Sequence, residues 1–333
     1  MAIVDDLGSG GRPGVQPAGA LAEEQWRQLL RRIKIGQCTP FIGPGACDPL
    51  MVPPPWKIAE EWSSDAECPY PLEDTSNMPR VAQYRTTNGK TPHEDLYWDW
   101  HCARLQDSKD EDDIHRCLAS LPFSVYISTH YFDFLTDALR ERRRDPRRDF
   151  CRWRDEPAAR AAYGPSVFDE QSGYDPSPAN PLVYHLYGCL EKTESVVLTE
   201  DDYLDFLVHT SGDAMAHTSE RSGKTTIPPV VEAAMANKSL LFLGYQLNDL
   251  DFRVLLRKLV CSKRIADGMH LSVQMVAVSD SSDPEEVQQL QSYVDKYLAR
   301  LKIGVCSYPG SLRAFAVELR QRWEDFDAKT PRI

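Results

Sequence analysis

Two short segments gather the side chains best suited to chemistry. Ser128-Thr129-His130-Tyr131-Phe132-Asp133 closes one apolar run, and Tyr184-His185-Leu186-Tyr187-Gly188 closes another. Between them they offer imidazole, hydroxyl and carboxylate groups, the raw material of general acid–base work. An ordinary imidazole titrates at about pH 6.5, which makes His130 a candidate base with Asp133 beside it. Tyr187, with an ordinary pKa of about 10, is a poor base near neutrality. His185 lies inside its strand and alternates away from Tyr184 and Leu186, the pattern of a core histidine. A third segment, Gly43-Pro44-Gly45-Ala46, follows an apolar run directly. Glycines between a strand and a helix let the backbone approach a pyrophosphate, because no side chain blocks the anion. Asp48 stands where a third glycine would complete the dinucleotide fingerprint, and Pro44 removes one N–H donor. A plain tight turn is therefore an equal reading. A fourth segment, Gly244-Tyr245 leading to Asn248-Asp249, reads either as a second cradle for a nucleoside or as a helix cap.

The elements that must position these residues are legible as alternating runs. Six strands are expected at Cys38–Ile42, Ser124–Thr129, Leu182–Tyr187, Ser239–Tyr245, Val273–Val278 and Ile303–Tyr308. Amphipathic helices are expected at Thr136–Arg143, Asn248–Val260, Pro284–Leu301 and Leu312–Phe326. Strands that are apolar throughout and alternate with helices indicate a parallel sheet buried on both faces. The expected fold is a doubly wound, Rossmann-like α/β domain over residues 21–333. Helical patches at Trp56–Trp62, Pro79–Arg85 and His93–Leu105 point to an inserted helical subdomain over about 48–121. A polar, Pro/Gly-rich excursion is expected over about 145–181. Thr199-Glu200-Asp201-Asp202 reads as a helix start, with Thr199 as cap and Asp202 in the third helical position. Tyr97, Trp98 and Trp100 read as helix packing or as one wall of a pocket.

Composition narrows the class. The 333 residues are 42% hydrophobic, enough for a sizeable core, and no apolar run approaches the ~20 residues of a membrane span. Residues 1–20, rich in Gly and Pro, read as a disordered lead-in rather than a secretory signal, so a cytoplasmic location is expected. A net charge of −12 argues against a general nucleic-acid coat, the arginines between Arg140 and Arg154 being the one dissenting stretch. That stretch reads as a solvated helix end with acidic neighbours or as a contact for a phosphate-bearing ligand. Nine scattered cysteines without a Cys-x-x-Cys pair support neither a zinc ribbon nor a redox dithiol, and no metal site is expected from ligand spacing.

Together these segments resemble the bacterial sirtuin-like (silent-information-regulator-type) domain family, whose members bind and often hydrolyse NAD. The resemblance runs from about Leu29 to Val260. It rests on Thr39-Pro40-Phe41-Ile42-Gly43-Pro44-Gly45-Ala46, Arg80-Val81-Ala82-Gln83-Tyr84, Arg144-Asp145-Pro146-Arg147-Arg148, Val197-Leu198-Thr199-Glu200-Asp201-Asp202-Tyr203, and Leu243-Gly244-Tyr245 through Phe252-Arg253. It implies NAD as cofactor and a phosphate-binding role for Gly43 and Gly45. Ala46, Thr129, Gly188, Gly244, Tyr245 and Asn248 would complete the rim. It also implies a catalytic asparagine in a Thr-Asn-Tyr-Asp segment and a catalytic histidine in a His-Leu-His-Gly segment. Here His130 holds the asparagine position, Phe132 the aspartate position with Asp133 following, and Tyr187 the histidine position. The zinc-ribbon cysteines of protein-deacylating members are missing, which argues against deacylation. The resemblance implies a NAD- or ADP-ribose-binding protein of the NAD-depleting anti-phage defence type. Its catalysis would be weakened or lost, leaving a regulatory or assembly subunit. Two alternatives stay open: a NAD glycohydrolase that releases nicotinamide by way of His130, and an interaction scaffold with no ligand. A homo-oligomer and a neighbouring ATPase or nuclease are the partners implied.

Overall fold

The computed structural model describes residues 21–48, 50–102, 104–105, 110–168, 173–212, 226–245, 252–254, 270–273, 305–308 and 310–329, with isolated helical positions between 285 and 300. A seven-stranded, all-parallel sheet forms the centre, built from β1 (Cys38–Ile42), β4 (Val125–Ser128), β5 (Arg147–Phe150), β6 (Leu182–His185), β7 (Ser239–Leu243), β8 (His270–Val273) and β9 (Val305–Tyr308). Their spatial order is β5-β6-β4-β1-β7-β8-β9. From β1 the chain passes to β4, then to the edge strand β5 and back to β6 between them, before crossing β1 to wind outward through β7, β8 and β9. The β1/β7 boundary is thus the point where strand order reverses, and in such sheets ligands bind beyond the carboxyl ends of the strands there.

Register follows the pleat. Phe41 pairs with Ile127 and with Phe242, and Ile127 pairs with Tyr184. All four point into one apolar core together with Tyr187, Tyr203, Phe206 and Tyr245. The alternate positions Ile42, Tyr126, Val183, Leu241 and Leu243 feed the opposite core. There α1 (Glu23–Lys34) presents Trp26, Leu29, Leu30 and Ile33, the i, i+3, i+4, i+7 spacing of one helix face. Trp26 stacks on Phe315 of α10 (Leu312–Lys329), with centroids 5.6 Å apart. Acidic Glu23 and Glu24 in the first turn of α1 and basic Arg31, Arg32 and Lys34 in its last turn complement the helix dipole.

Between β1 and β4 the chain builds α2 (Pro55–Ser63), α3 (Met78–Thr87) and α4 (Pro92–Cys102). A short antiparallel pair, β2 (Met51–Val52) with β3 (Arg104–Leu105), pins the two ends of this insert. Its core of Met51, Ile58, Trp62, Val81, Ala82 and Leu96 continues into Phe132, Leu190, Val196 and Leu198 at the carboxyl edge of the sheet. Arg85 is buried there beneath Trp62 and is neutralised by Asp65 at 2.9 Å and Asp95 at 2.8 Å. The segment ends in α5 (Ile114–Ser120), whose Ile114, Cys117, Leu118 and Ala119 join the core under α1 and α10 rather than the insert.

The stretch expected as a polar excursion opens with β5, a strand that its composition hides. Arg147 and Arg148 begin it, and it pairs on one side only, with β6, so it needs no continuous apolar run. The expected strand at Val273–Val278 lies earlier, at His270–Val273 within the described residues, and 274–278 fall outside them. Most of the arginine-rich stretch is compensated by carboxylates of the same chain. Arg140 pairs with Asp137, Arg142 with Glu111, Arg147 with Asp145, Arg148 with Asp133 and Glu191, Arg152 with Asp149, and Arg154 with Asp202.

Asp202 fastens the insert to the rest of the chain. Its carboxylate accepts the Leu198 and Thr199 N–H groups at 3.0 and 2.9 Å, and its own N–H donates to Thr199 Oγ1 at 3.1 Å. This reciprocal capping box starts α8 (Glu200–Gly212) as the sequence spacing suggests. The same carboxylate receives Arg154 and, at 2.9 Å, His93 from α4. Burial alone would push its pKa up, but these hydrogen bonds and charges outweigh burial and hold it well below the usual carboxylate range. A depressed folded pKa stabilises the protein fully above the unfolded value of about 4, and that stabilisation drains away as pH falls from there through the folded value. Asp202→Asn should cost roughly 2–3 kcal/mol at pH 7. Denaturant unfolding between pH 3 and 7 checks this: the wild-type advantage over the variant should shrink steadily toward pH 3.

Candidate functional site at the carboxyl edge of the sheet

The loop after β1 and the turn after β7 meet at backbone distance. Gly43 N–H donates to Leu243 O at 2.7 Å, and Gly45 N–H donates to Gly244 O at 3.1 Å. A Cβ on Gly43 would sit 2.7 Å from both the Gly244 carbonyl and the Tyr245 ring, and one on Gly45 would sit 3.0 Å from that carbonyl. Gly244 itself takes φ +73°, with its missing Cβ pointing at the Ala46 N–H. The glycines are required by this mutual approach. It also consumes the donors that a phosphate would use, since Ala46 and Cys47 N–H close a 3-10 turn onto Gly43 and Pro44 carbonyls. Thr129, at the end of β4, donates its N–H to Ile42 O at 2.9 Å, and its hydroxyl meets the Tyr245 hydroxyl at 2.8 Å. Gly43, Gly45, Ala46, Thr129, Gly244 and Tyr245 thus form one contiguous rim. Gly188 stands apart at the end of β6, and Asn248 lies outside the described residues.

His130 is buried to 3% exposure among His115, Phe132 and His185. Its Nδ1 accepts the Phe132 N–H at 3.2 Å, and its carbonyl meets His185 Nδ1 at 3.1 Å. Burial first, then the neighbouring His115 and His185, lower its pKa well below the ordinary histidine range. It does not titrate near neutrality as the isolated residue would. Burial likewise pushes His185 down to about 4. Phe132, where the resemblance expects a carboxylate, packs at a tilt against Trp100, with centroids 4.3 Å apart, and fills an aromatic cluster with Phe134. Asp133 pairs with Arg148, and its second oxygen lies 3.5 Å from His185 Nε2.

Tyr187 does not join this group. Its ring packs edge-on against Tyr203 and Phe206 of α8, at 5.4 and 5.0 Å, in the core under the opposite sheet face. The structure therefore brings His130, His185 and Asp133 together and places Tyr187 in a separate core. Two residues that sequence spacing does not single out converge on His130. They are Cys47, just past the 3-10 turn, and His115, in the first turn of α5.

Gly188 has φ +87°, and a Cβ there would run onto the Ser195 carbonyl, which already accepts Trp153 Nε1–H at 2.8 Å. Gly188→Ala should therefore destabilise the fold by about 1–3 kcal/mol or more. A melting curve with no drop would show that this turn is not as tight as drawn.

A profile of the SIR2-like domain family matches residues 124–301, from the start of β4 past β8. No curated protein matches the chain. The match covers more than half of the sequence and agrees with the parallel, doubly wound sheet, so the chain belongs to the SIR2-like domain family.

Proposed function

We propose that the protein binds NAD, or a ligand of the ADP-ribose type, at the β1/β7 junction, and that its catalysis is weakened or lost. SIR2-like domains are NAD-associated, which supports a NAD-related role. The junction supports the location: two glycine-bearing loops converge at the carboxyl edge where strand order reverses. The single observation that carries the loss of chemistry is the fate of the three substituted positions. His130 is buried and held neutral, Phe132 plugs an aromatic cluster, and Tyr187 is packed into the far core.

NAD would supply the bond between nicotinamide and ribose. Cleaving it calls for a group that orients water and one that draws a proton from a ribose hydroxyl. His130 has one ring nitrogen committed to the Phe132 N–H. Phe132 offers neither proton nor hydrogen bond. Losing one positioned acid–base group typically costs ~10²-fold or more. In this reading the protein serves NAD-depleting anti-phage defence as a nucleotide-sensing or assembly subunit, working beside an active partner such as an ATPase or nuclease, and in the cytoplasm.

NAD and ADP-ribose should each raise the melting temperature of the full chain, as any ligand of the folded state does. Nicotinamide release from the protein alone should fall at least ~10²-fold below that of an enzyme with the asparagine and histidine in place. If neither nucleotide shifts the melting curve, the binding claim fails. If brisk nicotinamide release is abolished by His130→Ala, the claim of lost catalysis fails.

A further inference from the structure

Cys47, His115 and His130 come from three separate elements, yet one potential ligand atom from each lies within 4.8 Å of the others. All three are buried, at 0%, 1% and 3% exposure. Both ring nitrogens of His115 and Nε2 of His130 lack a hydrogen-bond partner. A buried polar atom left unsatisfied costs about 1–3 kcal/mol. One such nitrogen from each imidazole, brought beside one thiol, makes an expensive core unless something occupies the space between them.

From this cluster we infer a binding site for a zinc-type divalent cation, ligated by Cys47 Sγ and the imidazoles of His115 and His130. One sulfur and two nitrogens suit zinc, with a fourth position left to water or another ligand. The scaffold is stiff. Cys47 follows a 3-10 turn locked to β7, and β4, which delivers His130, is hydrogen-bonded alongside β1. His115 is anchored by its cap, Asp113, whose carboxylate accepts the His115 and Arg116 N–H groups at 3.0 and 3.2 Å.

The same carboxylate provides the outer support that metal-bound histidines usually have. Asp113 Oδ1 lies 3.3 Å from His115 Nδ1, out of line for a hydrogen bond at present. A small ring rotation would make Nδ1–H donate to Asp113 and leave Nε2 for the metal. Charge balances as well: a divalent ion, the Cys47 thiolate and the Asp113 carboxylate sum to zero.

Binding has definite costs. Bond lengths of about 2.3 Å to sulfur and 2.0–2.1 Å to nitrogen bring tetrahedral ligands to roughly 3.3–3.6 Å of one another, so the cluster must contract by at most about 1.5 Å. The thiol loses its proton to solvent as the metal–sulfur bond forms. His130 must move its ring proton to Nδ1, which releases the 3.2 Å contact from Phe132 N–H. The inference goes beyond the nucleotide reading and does not depend on it.

The test uses the full chain, purified without chelator, then analysed for metal and titrated with cobalt(II). About one zinc per chain is expected. Cobalt should give a thiolate charge-transfer band that Cys47→Ser removes and that the core-thiol control Cys151→Ser keeps. His115→Gln and His130→Gln should each weaken cobalt binding at least tenfold. Circular dichroism confirms that each variant is folded. If the variants do not fold, X-ray absorption of the zinc-loaded wild type decides, with one sulfur and at least two nitrogens expected in the first shell. A folded chain that retains neither metal overturns the site. So does a cobalt band that survives Cys47→Ser, or a sulfur-rich first shell. Because no nucleotide enters the assay, its outcome is independent of whether NAD binds.

Discussion

The loop after β1 and the turn after β7 meet backbone to backbone, and much of the carboxyl edge is organised around that contact. Two short N–H···O=C bonds and three missing Cβ atoms allow Gly43, Gly45 and Gly244 to touch. This contact continues the β1–β7 ladder past its last residue pair. It seats Tyr245 against Thr129 and therefore ties β4 to the same corner. It also fixes where the 3-10 turn ends, and so where Cys47 enters the core. A side chain at any of the three glycines would have to push two central strands apart.

Behind that corner, the carboxyl edge is polar in sequence but largely closed in space. Ser128, Thr129, His130 and His185 are all buried. Phe132 stacks on His130, Trp100 of the insert packs on Phe132 and Phe134, and Asp133 is turned toward Arg148. Phe132 thus has a structural part of its own at this edge. It supplies the ring against which Trp100 of α4 packs, and helps weld the insert to the sheet.

Much of the architecture was legible in the chain because buried parallel strands are apolar throughout. The runs at Cys38–Ile42, Leu182–His185 and Ser239–Leu243 announce themselves in this way. β5 did not, since an edge strand that begins with two arginines carries no such mark. α1, with Trp26, Leu29, Leu30 and Ile33 at helical spacing, was not among the expected helices because it precedes the first strand and lies outside the alternating pattern. At the site, the glycine positions were visible because close backbone approach demands that one residue type. The separation of Tyr187 from His130 was not, because which core a strand-end ring enters depends on how α8 folds back against the sheet. The grouping of Cys47 with His115 and His130 was hidden for the same reason: ligand spacing in sequence describes only sites built from local motifs.

The arginines of β5 bear on how this molecule meets others of its kind. An edge strand with free N–H and C=O groups is a template for another chain. Arg147, at the exposed start of β5, and Arg148 beside it are each held by carboxylates of the same chain. A strand laid along this edge would have to desolvate those ion pairs or break them. The sheet is thereby discouraged from growing into a fibre on that side.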